Sequence, residues 1–180
     1  DFNHDGFEDF YVANGFLDTE DDRFFINDLG NNFTYGNFSG NPPLMSKSRS
    51  VNSFDYDNDG DLDLIVTDYN LNVNLWENKS VDSYYSESIM GSWVKIFLEG
   101  TISNRDGLGS IVEINFEDGS SQIRQYTGSG YQQQSIQSIH FGGSFNNKIS
   151  SIAVQWPSSG EETYSNLETN STYKIVEGQG

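Results

Sequence analysis

Asp55-Tyr56-Asp57-Asn58-Asp59-Gly60-Asp61-Leu62-Asp63 is the stretch that decides how this chain is read, and the first nine residues nearly repeat it as Asp1-Phe2-Asn3-His4-Asp5-Gly6-Phe7-Glu8-Asp9. Oxygen-bearing side chains stand at positions 1, 3, 5 and 9 of both copies, with glycine at position 6. That layout suits a hard cation such as Ca2+, which takes about six to eight oxygens at about 2.3–2.6 Å from a tightly curled loop. Glycine at position 6 permits the turn that brings the later ligands back onto the ion.

A helix–loop–helix calcium site would need a bidentate Glu at position 12. Position 12 is Val12 in one copy and Val66 in the other, so that option is excluded. Position 9 leads into Phe10-Tyr11-Val12 in one copy and Leu64-Ile65-Val66 in the other, β-branched and aromatic runs that predict strands. Each loop therefore closes at Asp9 or Asp63 and passes into a sheet. Acidic Asx-Gly clusters also occur as plain solvated turns. Two copies with one pattern, each entering a strand, favour calcium, since carboxylates packed in a short loop repel unless a cation neutralises them. The expected ligand sets are Asp1, Asn3, Asp5, Phe7 and Asp9, and Asp55, Asp57, Asp59, Asp61 and Asp63, for two Ca2+ ions. Position 7 (Phe7, Asp61) is expected to contribute its backbone carbonyl.

Composition narrows the function classes. The chain has 180 residues, enough for one or two domains, with 27 acidic against 9 basic residues and a net charge of −18. Such a surface disfavours nucleic acid, which needs a basic face. There is no cysteine, so metal is the available brace in place of disulfides. No apolar run is long enough to span a membrane, and no signal peptide is present. Because the chain opens on a loop ligand, it reads as a mature or trimmed segment of a longer secreted precursor. Sequons stand at Asn32, Asn37, Asn78 and Asn170, about as many as chance would place in so Asn- and Ser-rich a sequence.

Short alternating apolar runs bounded by Gly, Asn, Asp and Ser predict an all-β protein. Strands are expected at 7–13, 23–27, 32–36, 49–54, 61–68 and 73–77, and, after a Ser- and Tyr-rich connection over 79–91, at 93–99, 110–117, 121–127, 136–141, 149–156 and 172–177. The domains are expected at 1–78 and 92–180. The two loops begin 54 residues apart, a spacing that fits one four-stranded propeller-type unit each. The second half holds three turn clusters, Ser103-Asn104-Arg105-Asp106-Gly107-Leu108-Gly109, Gly128-Ser129-Gly130-Tyr131 and Trp156-Pro157-Ser158-Ser159-Gly160, and a hairpin signal at Asp118-Gly119. Its many short strands suit a β-sandwich or jelly roll.

These residues carry a resemblance. The two loops, with Arg23-Phe24-Phe25-Ile26-Asn27 and Leu75-Trp76-Glu77-Asn78 trailing them, resemble FG-GAP/VCBS repeats. The stretch from about Trp93 to Glu177 resembles the ASPIC/UnbV domain through Leu98-Glu99-Gly100, Ser103-Asn104-Arg105, Gly128–Tyr131, His140-Phe141-Gly142, Val154-Gln155-Trp156-Pro157 and Ile175-Val176-Glu177. Gly143-Ser144 departs from the Leu-Gly usual after Phe-Gly there. The resemblance implies a secreted or surface-exposed bacterial protein with calcium-bearing β-repeats, and no particular reaction.

His4 and His140 are the two histidines, and neither sits in a catalytic constellation. His4, at a non-ligand position, is expected to face solvent, and His140 to be a hydrogen-bonded structural residue near a strand end. The chain is thus read as a non-enzyme. The leading expectation is a calcium-stabilised, secreted, cell-surface structural or adhesive protein that self-associates, as a homo-oligomer or filament subunit. The alternative is a carbohydrate-binding module, with Tyr84, Tyr85, Tyr126, Tyr131, Trp156 and Tyr164 offering faces to glycans, or a non-catalytic fragment of a larger secreted protein. Trp93 and Trp156 are expected in the core.

Overall fold

The computed structural model describes residues 1–15, 21–35, 47–70, 72–79, 92–130, 133–134, 138–143 and 148–180. Among these residues there are strands and turns and no helix. They divide into two compact units, 1–91 with 129–135, and 92–128 with 136–180.

The first unit holds two antiparallel three-stranded sheets. One has the order β1 (Phe10–Val12), β2 (Arg23–Asp28), β3 (Asn32–Tyr35); the other has β4 (Ser48–Phe54), β5 (Asp63–Asp68), β6 (Val73–Trp76). β1 and β5 each leave an acidic loop, so they correspond, as do β2 and β6 after them. β4 enters the second loop, and β3 follows β2. Between them the two sheets display four strand positions, but each sheet has three among the described residues rather than the four expected. The strands are also shorter at their starts, at Phe10 and Asp63, because the loop residues before them are held by side chains instead of a ladder.

Alternation sends Phe24 and Ile26 inward, where they meet Tyr11, Val51, Leu64 and Trp76 in one core. Phe2 and Leu62, from positions 2 and 8 of the loops, enter the same core. The Phe2 ring meets Phe24 edge-on at a centroid distance of 5.2 Å. The loops are therefore built onto the core as well as onto the sheet edges.

The second unit contains β7 (Ser92–Glu99), β8 (Ile111–Phe116) and β9 (Ser121–Gln125). A minimal hairpin of β10 (Ser129–Gly130) and β11 (Gln133–Gln134) belongs with the first unit, so the second is discontinuous in sequence. β12 (Ile139–Gly143), β13 (Ile149–Trp156), β14 (Gly160–Tyr164) and β15 (Ser171–Val176) complete it. The sheets are β12-β7-β15 and β14-β13-β8-β9. Val94, Ile96, Phe141 and Ile175 of the first face Val112, Ile114, Ile152, Val154 and Trp156 of the second in a single core, which makes a two-layer sandwich. A bulge between Ile149 and Ser151 resets the alternation of β13, so that Ile149 and Ile152, three apart, both point inward.

Asp118-Gly119 forms the expected hairpin: Gly119 has φ 85°, and Asp118 Oδ1 accepts from Ser120 N at 2.9 Å. Two features differ from the sequence reading. β14 occupies what reads as a polar continuation of the Trp156–Gly160 turn, because an edge strand of Glu and Thr carries little apolar signal. β15 pairs with β7 in parallel, a long-range choice that local pattern does not encode. Trp156 is in the core, whereas Trp93 is half-buried, with the Lys95 ammonium 5.0 Å from its ring centroid. His140 lies within β12, opposite Lys95, and is buried. Gly143 pairs with Ser92 at the end of β12. Ser144 and the 80–91 connection lie outside the described residues, as do Asn37, Tyr84, Tyr85, Tyr131 and the beginning of the strand expected from 136.

Candidate metal centre

The two acidic loops share one backbone. Position 4 is left-handed in both (His4 φ 55°, Asn58 φ 65°), and so is the glycine at position 6 (Gly6 φ 93°, Gly60 φ 104°). A side chain at position 6 would be strained whatever the space around it.

Five hydrogen bonds recur position for position, one of them from the N–H of position 5 to position 3, Asp5 to Asn3 at 3.3 Å and Asp59 to Asp57 at 3.4 Å. The N–H of position 2 donates to the position 9 carboxylate, Phe2 to Asp9 at 2.7 Å and Tyr56 to Asp63 at 2.9 Å. The N–H of position 6 donates to position 1, Gly6 to Asp1 at 3.1 Å and Gly60 to Asp55 at 3.0 Å. The N–H of position 7 donates to position 5, Phe7 to Asp5 and Asp61 to Asp59, both at 2.9 Å. Finally, an asparagine N–H at or just past the end of the next strand donates to position 9, Asn27 to Asp9 and Asn78 to Asp63, both at 2.8 Å. Each carboxylate thus spends an oxygen shaping the loop.

The loops differ in how their acids converge. Asp55, Asp57 and Asp63 each offer a carboxylate oxygen within 4.8 Å of the others, and no other such group of three occurs among the described residues. In the first loop Asn3 stands where Asp57 stands, and its amide donates to Asp5 at 2.9 Å. The donors of the second loop are all hard oxygens, which fits Ca2+ and disfavours the softer transition metals. Asp55, Asp57 and Asp63 would hold the ion.

Electrostatics agrees with that fit. Burial pushes the Asp63 carboxyl up to about 6, the neighbouring Asp57 and Asp59 charges push the same way, and the Tyr56 and Asn78 N–H groups oppose them. Burial likewise raises Asp59, helped by Asp57 and Asp55, and raises Asp9, against the pull of the Asn27 N–H. A divalent cation would relieve both the desolvation and the repulsion.

The structure corrects one expectation from sequence. His4 does not face solvent: it is buried, and its Nε2 lies 3.4 Å from Oδ1 of the fully buried Asp61. Asp61 accordingly turns its side chain to His4, away from the Asp55–Asp57–Asp63 group. Asp59, half-buried, accepts from Asp61 N, and Phe7 is exposed. Sequence reasoning also gave Asn27 and Asn78 no role beyond marking the repeat. Their placement at the end of a strand or just past it, at matching ends of the two repeats, was the available signal.

The FG-GAP-like repeat family matches residues 1–82, and the ASPIC and UnbV family matches residues 100–180. The chain is an FG-GAP-like repeat region followed by an ASPIC/UnbV domain. No curated protein matches it. FG-GAP-like repeats often bind calcium and are typical of extracellular or surface domains. No helix among the described residues is long and apolar enough to cross a membrane.

Among the described residues of the ASPIC/UnbV domain, the aromatic residues considered for sugar stacking are committed elsewhere. Tyr126 and Trp156 are buried, and the half-buried Tyr164 donates its hydroxyl to Glu162 at 2.6 Å. The repeats carry a group of uncovered rings in mutual contact. Phe10 stacks on Phe25 at 4.6 Å, Phe33 meets Phe10 at 4.8 Å, and Tyr35 meets Phe25 at 5.0 Å, all on the outward face of β1-β2-β3. Phe33 and Tyr35 are 52% and 66% exposed.

Proposed function

We propose that this FG-GAP-like and ASPIC/UnbV protein is a calcium-stabilised, secreted, non-catalytic structural component of the cell surface that assembles with copies of itself. The observation that carries the calcium reading is the Asp55–Asp57–Asp63 oxygen group, set in a loop whose backbone recurs at Asp1–Asp9. An ion that binds only the folded chain stabilises it by mass action, by about 2.7 kcal/mol per site at a free concentration near one hundred times Kd. The repeat region is therefore expected to melt at a higher temperature in calcium than in chelator, followed by calorimetry. Identical melting in the two would end the calcium reading.

Self-association is supported by the aromatic face of β1-β2-β3. Its residues Phe10, Val12, Arg23, Phe25, Asn27, Phe33 and Tyr35 include no acid, in a chain with 27 of them. Exposed apolar faces of this kind mark interaction surfaces, and an acid-free face escapes the repulsion that the rest of the −18 surface imposes between copies. Replacing Phe33 and Tyr35 together with serine is expected to dissolve assemblies seen by electron microscopy and light scattering. Monomer stability should fall by about 1–3 kcal/mol, the worth of the two aromatic pairs lost with the rings, with the fold retained. Wild-type particles that are uniformly monomeric, or assemblies indifferent to the double substitution, would refute it.

A further inference from the structure

The acidic loops begin 54 residues apart in sequence, yet two contacts tie them together inside the first unit. Asn78 makes the first. Its backbone N–H donates to Asp63 Oδ1 at 2.8 Å, in the second loop, while its side-chain Nδ2 donates to the Phe2 carbonyl at 2.8 Å, in the first. Phe2 in turn donates its own N–H to Asp9, the closing residue of the first loop, at 2.7 Å. A continuous path of hydrogen bonds thus runs from Asp63 through one asparagine to Asp9. His4 makes the second contact: it leaves the first loop at position 4 in a left-handed conformation and sets its ring 3.4 Å from Asp61 of the second, with both side chains buried.

We infer that the two loops form one coupled pair of calcium sites, with Asn78 and His4 as the residues that position each loop on the other. The inference rests on the calcium reading above. Its physical basis is shared ordering. An ion at Asp55, Asp57 and Asp63 fixes the Asp63 carboxylate, hence the backbone of Asn78, hence the amide that holds Phe2 and the entry to the first loop. The second ion then meets a loop already ordered, so its binding costs less conformational entropy. Coupling of this kind is reciprocal, so either loop filled first favours the other.

The test is a titration of the full chain with terbium, read by luminescence and by calorimetry. The wild type is expected to bind two ions cooperatively. Asp57→Asn, which alters the second loop alone, is expected to weaken binding at the first by at least about fivefold. Asn78→Ala keeps the backbone bond to Asp63 and removes only the contact to Phe2. It should leave two ions bound but make them independent, so that adding Asp57→Asn no longer affects the first loop. His4→Gln should act in the same direction, and it serves as the second variant should Asn78→Ala fail to fold. Residues that only supported the fold would weaken both sites and leave the coupling intact, which would overturn the inference. Two ions binding independently in the wild type, with the first loop indifferent to Asp57→Asn, would overturn it while sparing the calcium reading. Absence of any binding would overturn both.

Discussion

Replacing Glu177 with alanine is expected to lower the melting temperature of the ASPIC/UnbV domain by on the order of 10 °C, given the number of hydrogen bonds lost. The Glu177 side chain is buried at the end of β15. Its Oε2 accepts three consecutive backbone N–H groups, from Thr101, Ile102 and Ser103, each at 2.7 Å. Its Oε1 accepts the hydroxyls of Ser103 and Ser159. Successive N–H groups converging in this way form a concave anion site, here filled by the protein's own carboxylate. The loop is shaped for it. Gly100 donates to Arg105 O at 2.9 Å, and a Cβ at Gly100 would fall 2.1 Å from Asn104 O, so the turn closes only on glycine. Glu177 thereby joins β15, the loop after β7 and the turn after β13.

Removing the carboxylate leaves donors without their acceptor, whereas Glu177→Gln keeps one acceptor oxygen and should cost less. Acid should reproduce the loss. Burial opposes ionisation of Glu177, but the hydrogen bonds from Ser159, Ser103 and Ile102 outweigh it and hold the carboxyl down to about 2, against 4.5 when unfolded. With the folded value depressed, the contribution is fully present above about 4.5 and is lost as pH falls towards 2. The difference in urea midpoint between wild type and Glu177→Ala should therefore shrink across that window. A constant difference down to pH 2 would show that Glu177 acts through packing alone.

This site also shows where sequence reading stops. Ser103, Ser159 and Glu177 each stand in a segment that can be singled out from sequence, because glycine-rich turns and alternating strands have local signatures. That the three meet at one carboxylate depends on the parallel pairing of β15 with β7, which no local pattern specifies. The acidic loops were legible for the converse reason: nine consecutive residues hold the whole recurring pattern of oxygens, and glycine at position 6 betrays its backbone. The strand after each loop was legible from its β-branched run. His4 was not, because its partner Asp61 lies 57 residues away and only the packing of two loops on one core brings them together. Asn78 was half legible, visible as a recurring strand-end residue but silent about the Asp63 and Phe2 groups it joins.

Asp63→Asn is expected to have its effect in calcium and to lose it in chelator. Asp63 has two duties. Its two oxygens accept the N–H groups of Tyr56 and Asn78, at 2.9 and 2.8 Å, and one oxygen also belongs to the group with Asp55 and Asp57. An asparagine of the same shape can accept only one of the two N–H groups and presents an amide donor to the other, a mismatch costing about 1–3 kcal/mol when buried. Against that loss, the substitution removes a buried negative charge from beside two other carboxylates. That charge is unfavourable in the metal-free loop, as the upward displacement of the Asp63 carboxyl to about 6 reports. The two effects oppose each other, so wild type and Asp63→Asn should melt close together in chelator. In calcium the wild type gains the free energy of binding at this loop, about 2.7 kcal/mol at one hundred times Kd, and the variant gains none there. Melting curves of both proteins in both conditions form the cycle that separates ligation from loop closure. A variant equally destabilised with and without calcium would make Asp63 a structural latch and deny it a role as a ligand.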